Sequence, residues 1–206
     1  MGYVKVSGDL TRVQNETVIG SLDILKGGVE VSGGWNDTFT AQIGRSILHA
    51  NASNVYTNRV FDISGTNVVI RDFVITGGGI RGYQQAKPNG AGLRVTGTNI
   101  VLQSLIVTNN TSYDNYVTGA GIAILGRKAS NVTVTRCKIV NNYARHAGGI
   151  YVGDNAGRYG RPVVIEYCDI MDNFLTTQAG TTGGGVYTGD SALDTFTRAL
   201  VANCRI

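Results

Sequence analysis

Asn67-Val68-Val69-Ile70-Arg71-Asp72-Phe73-Val74-Ile75 decides the fold, because its pattern returns about every 30 residues. It comes back as Asn99 to Val107 (NIVLQSLIV), as Asn131 to Ile139 (NVTVTRCKI) and as Pro162 to Ile170 (PVVIEYCDI). A last copy runs from Arg198 to Ile206 (RALVANCRI). Self-similarity at a fixed period of this size marks a stacked array of repeats. Within each copy the apolar residues alternate, skip two positions and alternate again: Val68, Ile70, Phe73, Ile75; then Val132, Val134, Cys137, Ile139; then Val163, Ile165, Cys168, Ile170. Alternation by two is a half-buried strand, and the skip at Arg71-Asp72, Thr135-Arg136 and Glu166-Tyr167 is a bend between two short strands.

A third strand follows a glycine run. Gly90-Ala91-Gly92-Leu93-Arg94-Val95 matches Gly119 to Ile124, Ala147 to Val152 and Gly183 to Thr188. Upstream, Phe61 to Gly65 and Val29 to Gly33 are read into the same slot. Three short strands per turn, with apolar ladders pointing inward, describe an all-β, parallel β-helix solenoid of about six coils. Asn110, Asn142 and Asn173 recur between the second and third strands, where stacked amides form a ladder. The reading is of one β-helix domain over 1–206, with irregular first coils in 1–25. The repeat breaks off mid-coil at Ile206 without a cap, which points to a fragment of a longer chain or to another chain covering that end.

Composition agrees. The 206 residues are 42% hydrophobic with 29 glycines and 2 prolines, and the 3.6-residue periodicity of helices is missing. The net charge of +4 is mild and scattered, which argues against nucleic acid as a partner. No run of about 18 apolar residues could span a membrane as a helix. The first residues lack the apolar centre of a secretory leader, so either the protein is cytoplasmic or a leader has been removed. The three cysteines, Cys137, Cys168 and Cys204, take the position held by Phe73 and Leu105 in earlier copies and are read as buried free thiols. Parallel stacked side chains offer poor geometry for a disulfide. Metal binding is not expected of them.

The combination GG[IV]Y with N-V-x-[IV]-x-x-C-x-I-x-x-N resembles the right-handed parallel β-helix, or pectin-lyase-like, superfamily. The stretch Ile24 to Trp35 (ILKGGVEVSGGW), leading to Ser46-Ile47-Leu48, is similar to the first coils of bacterial surface proteins of the polymorphic-outer-membrane and choice-of-anchor types. The resemblance runs from about residue 17 onward. It implies the fold and an extracellular or cell-surface location. It does not fix an activity, because the superfamily holds lyases, hydrolases and adhesins.

Chemistry is sought on the outward residue of the third strand. Read along the stack, that row is Glu30, Asp62, Arg94, Ala123, Tyr151 and Tyr187. Connections entering it carry Arg81, Tyr113, Asp114, Arg145 and His146 and are expected to wall a groove. Tyr151 and Tyr187 should stack as an aromatic strip for sugar rings, with Arg94, Tyr113, Asp114 and His146 as further ligand contacts. Glu30 and Asp62, roughly 5 Å apart on neighbouring coils, have the carboxylate pairing of a retaining glycoside hydrolase. Alternatively Arg94 pairs with Asp62. Family lyases place calcium-binding aspartates and a basic residue here, so calcium and Arg94 belong to that reading, and a row with Ala123 and two tyrosines departs from it. Gly77 to Gly82 matches G-x-G-x-x-G by letter, but no helix pattern follows. The sequence thus favours a surface module, without a cofactor, that binds a polysaccharide or cell-surface glycan. The alternatives are a polysaccharide lyase or glycoside hydrolase using Glu30, Asp62 or Arg94, and a stalk or filament subunit associating end to end.

Overall fold

The computed structural model describes residues 2–7, 10–11, 20–52, 58–81, 89–112, 118–153, 155–157, 161–175, 183–189 and 197–206. The repeated segment folds as expected into two strands and a bend. Its first strands stack into one parallel sheet: Gly2–Ser7, Val29–Trp35, Thr66–Arg71, Thr98–Gln103, Val132–Thr135, Val163–Glu166 and Ala199–Ala202. Its second strands form another, through Leu10–Thr11, Ser46–His49, Phe73–Thr76, Ile106–Thr108, Lys138–Val140 and Asp169–Met171. The third sheet holds the strands after the glycine runs, Leu93–Val95, Ile122–Leu125, Ile150–Gly153 and Val186–Thr188, preceded by Asn58–Ile63 and Gly20–Ile24.

The bend has a specific backbone cause. Asp72, Ser104, Arg136, Tyr167 and Asn203 each sit at positive φ, between 53° and 63°. One left-handed residue per coil redirects the chain, and the inward ladder resumes on the next residue. Val68, Ile70, Phe73 and Ile75 are fully buried, as are Ile100, Leu102, Val107, Val132, Val134 and Ile139. Phe61 and Phe73 meet edge to face with ring centroids 6.0 Å apart. Among the described residues the interior of the stack is therefore filled by side chains.

Two expectations about the coils change. Four coils carry the full set of strands, not about six, with incomplete turns before and after them. Each full coil also has a fourth element: Gly79–Ile80, Thr111–Ser112, Tyr143–Ala144 and Phe174–Leu175 pair in parallel at the start of the connections. The second change concerns Val29–Trp35, which lies in the first sheet, with Val29 beside Val68 and Glu30 beside Val69. The third-sheet slot belongs to Gly20–Ile24, where Leu22, Asp23 and Ile24 pair with Phe61, Asp62 and Ile63.

The amide ladder is present, buried at Asn110 and Asn142 and half-buried at Asn173. Asn110 Nδ2 donates to Asn142 Oδ1 at 2.9 Å, and Asn142 Nδ2 to Asn173 Oδ1 at 2.9 Å. The left-handed backbone falls one residue earlier, at Asn109, Asn141 and Asp172. Cys137 and Cys168 are buried and Cys204 half-buried, all as free thiols. Each thiol donates to the carbonyl two residues back, on Thr135, Glu166 and Ala202. The neighbouring Cys168 thiol and burial together push the Cys137 thiol well above its ordinary value, which keeps it protonated.

Candidate functional site

The outward row of the third sheet reads Asp23, Asp62, Arg94, Ala123, Tyr151 and Tyr187 by strand register. Glu30 is absent from it. Its carboxylate lies on the first sheet and accepts a 2.7 Å hydrogen bond from Arg71 Nε, while Arg71 Nη1 donates to Asp72 Oδ2, also at 2.7 Å. The predicted Glu30–Asp62 acid pair is therefore split between two sheets. The carboxylate beside Asp62 is Asp23, a match visible in an ungapped alignment of residues 22–32 with 61–71.

Asp62 is buried and held from two sides. Arg94 Nη1 donates to Oδ1 at 3.0 Å, the pairing expected as the alternative, and Arg59 Nη1 donates to Oδ2 at 3.2 Å. Arg59, which sequence reading passed over, is 2% exposed and also donates to the carbonyls of Gly90 and Asn89 at 2.7 and 2.8 Å. Burial pulls its guanidinium down to about 10 despite the nearby Asp62 carboxylate. A buried acid gripped by two guanidinium groups is a structural clamp. It ties the start of the next coil, at Asn89 and Gly90, to the coil beneath.

The row is closed further along as well. Ala123 is fully buried and Tyr151 is 6% exposed, and the two pack with Leu125, Ala147 and the half-buried Tyr187 outside the main core. Tyr151 and Tyr187 stack as expected, with centroids 5.8 Å apart and rings 14° from parallel. Each ring lies back over a glycine two residues on, Gly153 or Gly189, where a β-carbon would collide with it. Tyr151 Oη donates to the Gly189 carbonyl at 3.0 Å. The strip is thus interior packing at Tyr151 and half-open only at Tyr187. His146 sits half-buried beside Thr118 in a parallel bridge, and burial with the adjacent Arg145 charge lowers its pKa. Tyr113 and Asp114 lie outside the described residues. No group of three His, Cys, Asp or Glu able to hold a metal occurs among the described residues, so the calcium cluster of a lyase has no counterpart there.

A family model for the right handed beta helix region matches residues 11–206. The chain belongs to the right-handed β-helix family. No curated protein and no solved structure matches it significantly.

In this β-helix the outer face of the first sheet is an open surface. Glu30, Val69, Val101, Thr133, Val164 and Leu200 stand in register along it. Val69, Val101, Thr133 and Val164 are half-exposed, and Leu200 is more open still. Beside them runs a second amide ladder, exposed, in which Asn99 Nδ2 donates to Asn67 Oδ1 at 2.8 Å and Asn131 Nδ2 to Asn99 Oδ1 at 2.9 Å. Positive φ at all three asparagines suits the residue type. Asparagine at the first position of three successive repeats was the available sign of this ladder.

Proposed function

We propose that this β-helix is a non-catalytic module, working outside the cell or on its surface, that binds an extended glycan along the outer face of its first sheet. The observation that carries the reading is the open face itself: an exposed Asn67–Asn99–Asn131 amide ladder beside the Val69–Val101–Thr133–Val164 row. Amides suit sugar hydroxyls, and aliphatic rows suit the apolar faces of pyranose rings. Coils about 4.8 Å apart repeat both contacts along the length of a polymer. On the third sheet, by contrast, Asp62 and Arg94 are engaged with each other and Tyr151 is covered, which leaves little for catalysis.

The test is incubation with a panel of neutral and acidic polysaccharides, recording retained binding and released reducing or unsaturated ends together. The expected result is binding without product, lost in Val101→Glu and kept in Tyr187→Ala. Product release that disappears in Asp62→Asn or Arg94→Ala would overturn the reading in favour of a degrading enzyme. Absence of both binding and product would leave a stalk as the better account.

A further inference from the structure

The bend between the first and second sheets is made by one left-handed residue per coil, and the residue types found there do not all suit it. In that region the β-carbon crowds the following carbonyl oxygen. Asparagine and aspartate bear this best, because their short polar side chains can bond locally. Asp72 and Asn203 meet the requirement, and Ser104 is at least small. The Asp72 carboxylate also accepts bonds from Arg71 Nη1 and Gln42 Nε2, both at 2.7 Å. Arg136 and Tyr167 do not meet it, yet each stands at φ 54°.

Packing does not offset this strain. Arg136 is exposed, and Tyr167 is 57% exposed. Neither side chain makes an ion pair or a hydrogen bond among the described residues, whereas Arg59, Arg71, Arg94 and Arg205 all form ion pairs. The backbone beneath them is held: Arg136 N–H donates to the Glu166 carbonyl and Tyr167 N–H to the Ala202 carbonyl, both at 3.2 Å. Thr135 stands beside Glu166 in the first sheet, which puts Arg136 beside Tyr167 on successive coils. The two follow directly on the strands that carry Thr133 and Val164, so they form the bend-side edge of the open face.

Strain kept at an exposed position without a packing return marks a place with another task. We infer that Arg136 and Tyr167 anchor the glycan, fixing one pyranose unit of the polymer at the edge of the face. The inference rests on the glycan-binding reading above and assigns the residues that hold the ligand most tightly. The open Tyr167 ring takes the apolar face of the sugar. The Arg136 guanidinium, rooted one coil away at about 4.8 Å, presents its donors as a planar fork to two neighbouring hydroxyls. Glu166, half-exposed beside Thr135, adds an acceptor. Tyrosine and arginine are the side chains that most often dominate a binding energy, since each joins a large contact area to a polar group. Asparagine or aspartate at the bend would ease the backbone and offer no ring. The fixed backbone also leaves only side-chain freedom to be lost on binding.

The experiment gives each position the residue its backbone prefers, so that stability and binding move in opposite directions. Arg136→Asn and Tyr167→Asn are compared with the full parent chain for binding to hydroxyethylcellulose, galactomannan, dextran and polygalacturonate, and for melting midpoint. The expected result is binding weakened about tenfold or more in each variant, with the midpoint raised by about 2 °C or more. Tyr167→Phe, which keeps the ring, should retain most of the affinity. Unchanged affinity in Tyr167→Asn, with Val101→Glu still abolishing it, would overturn the inference and leave the proposed function standing. Weaker binding together with a lower midpoint would also overturn it, since the two residues would then be structural. A concentration-dependent dimer in light scattering, lost in Tyr167→Asn, would give the edge to a second copy of the chain instead. Absence of binding to every polymer by the parent chain would sink both readings.

Discussion

The outer rows of the first and third sheets arise from the same repeat and share the same coil spacing, yet one is open along its middle coils and the other is closed over Asp62, Ala123 and Tyr151. On the first sheet, Val69, Val101, Thr133 and Val164 remain half-exposed. On the third, Asp62, Ala123 and Tyr151 are at most 6% exposed. Strand geometry does not separate them, since both are parallel and in register. What differs is the chain between strands: long connections enter the third sheet, while a single left-handed residue leads out of the first. An outward-pointing residue therefore need not face water: Arg59 and Arg94 close over Asp62, and Leu125, Ala147 and Tyr187 pack with Ala123 and Tyr151.

The same substitution on each row gives the sharpest contrast. Ala123→Glu would force a carboxylate into a packed, fully buried position, and the expected loss is about 4 kcal/mol. Thr133→Glu, half-exposed on the open row, should change stability by about 0.5 kcal/mol or less. Urea unfolding of both variants measures the gap, and equal losses would erase the distinction. Next come the two arginines. Arg59→Ala removes one of the two guanidinium groups on buried Asp62 and the donors to the Asn89 and Gly90 carbonyls, for an expected loss of about 3 kcal/mol. Arg71→Ala breaks the partly exposed pair with Glu30, for about 0.5 kcal/mol. A larger loss from Arg71 would mean that the open face is the better braced one.

The two amide ladders repeat the comparison on a smaller scale. Asn142→Ala, in the buried ladder, removes bonds to Val107 O, Val140 O and Asn173 Oδ1 and should cost about 2 kcal/mol. Asn99→Gly, in the exposed ladder, keeps the positive φ and should cost about 0.5 kcal/mol. Thermal melts of the pair decide it. The smallest effect is electrostatic. His146 has its pKa lowered by burial and by Arg145, so just below the ordinary histidine range the unfolded chain binds more protons than the folded one. Stability should then fall slightly as pH drops through the unfolded value near 6.5. His146→Gln should flatten that slope, and an NMR titration midpoint at or above the ordinary value would contradict it.

Much of this was legible in the residues. The inward ladder could be read because burial imposes a period of two that survives changes such as Phe73, Leu105 and Cys137 at one site. The place of Glu30 could not be read from alternation, since Val29-Glu30-Val31 fits either sheet. Length decided it: Ile24 to Val29 spans the same interval as Ile63 to Val68, and that interval puts Asp23 beside Asp62. Arg59 escaped notice for another reason. A basic residue beside an apolar run reads as a solvated edge, and only the fold shows the Gly90 and Asn89 carbonyls meeting over it. The cover on Tyr151 was equally invisible, because alternation does not show that its ring folds back over Gly153 and donates to the Gly189 carbonyl.

The equal interval between two successive coils has a consequence for length. Asn67, Asn99 and Asn131 are each 32 residues apart, and the side chains facing across each step are of the same kind. Excising residues 100–131 would join Asn99 directly to Val132, returning every strand to a neighbour of matching shape. Such a chain can be shortened or extended by whole turns without a new core being invented. The reach of the protein could thus be altered by a single in-frame duplication or loss of one of these 32-residue turns.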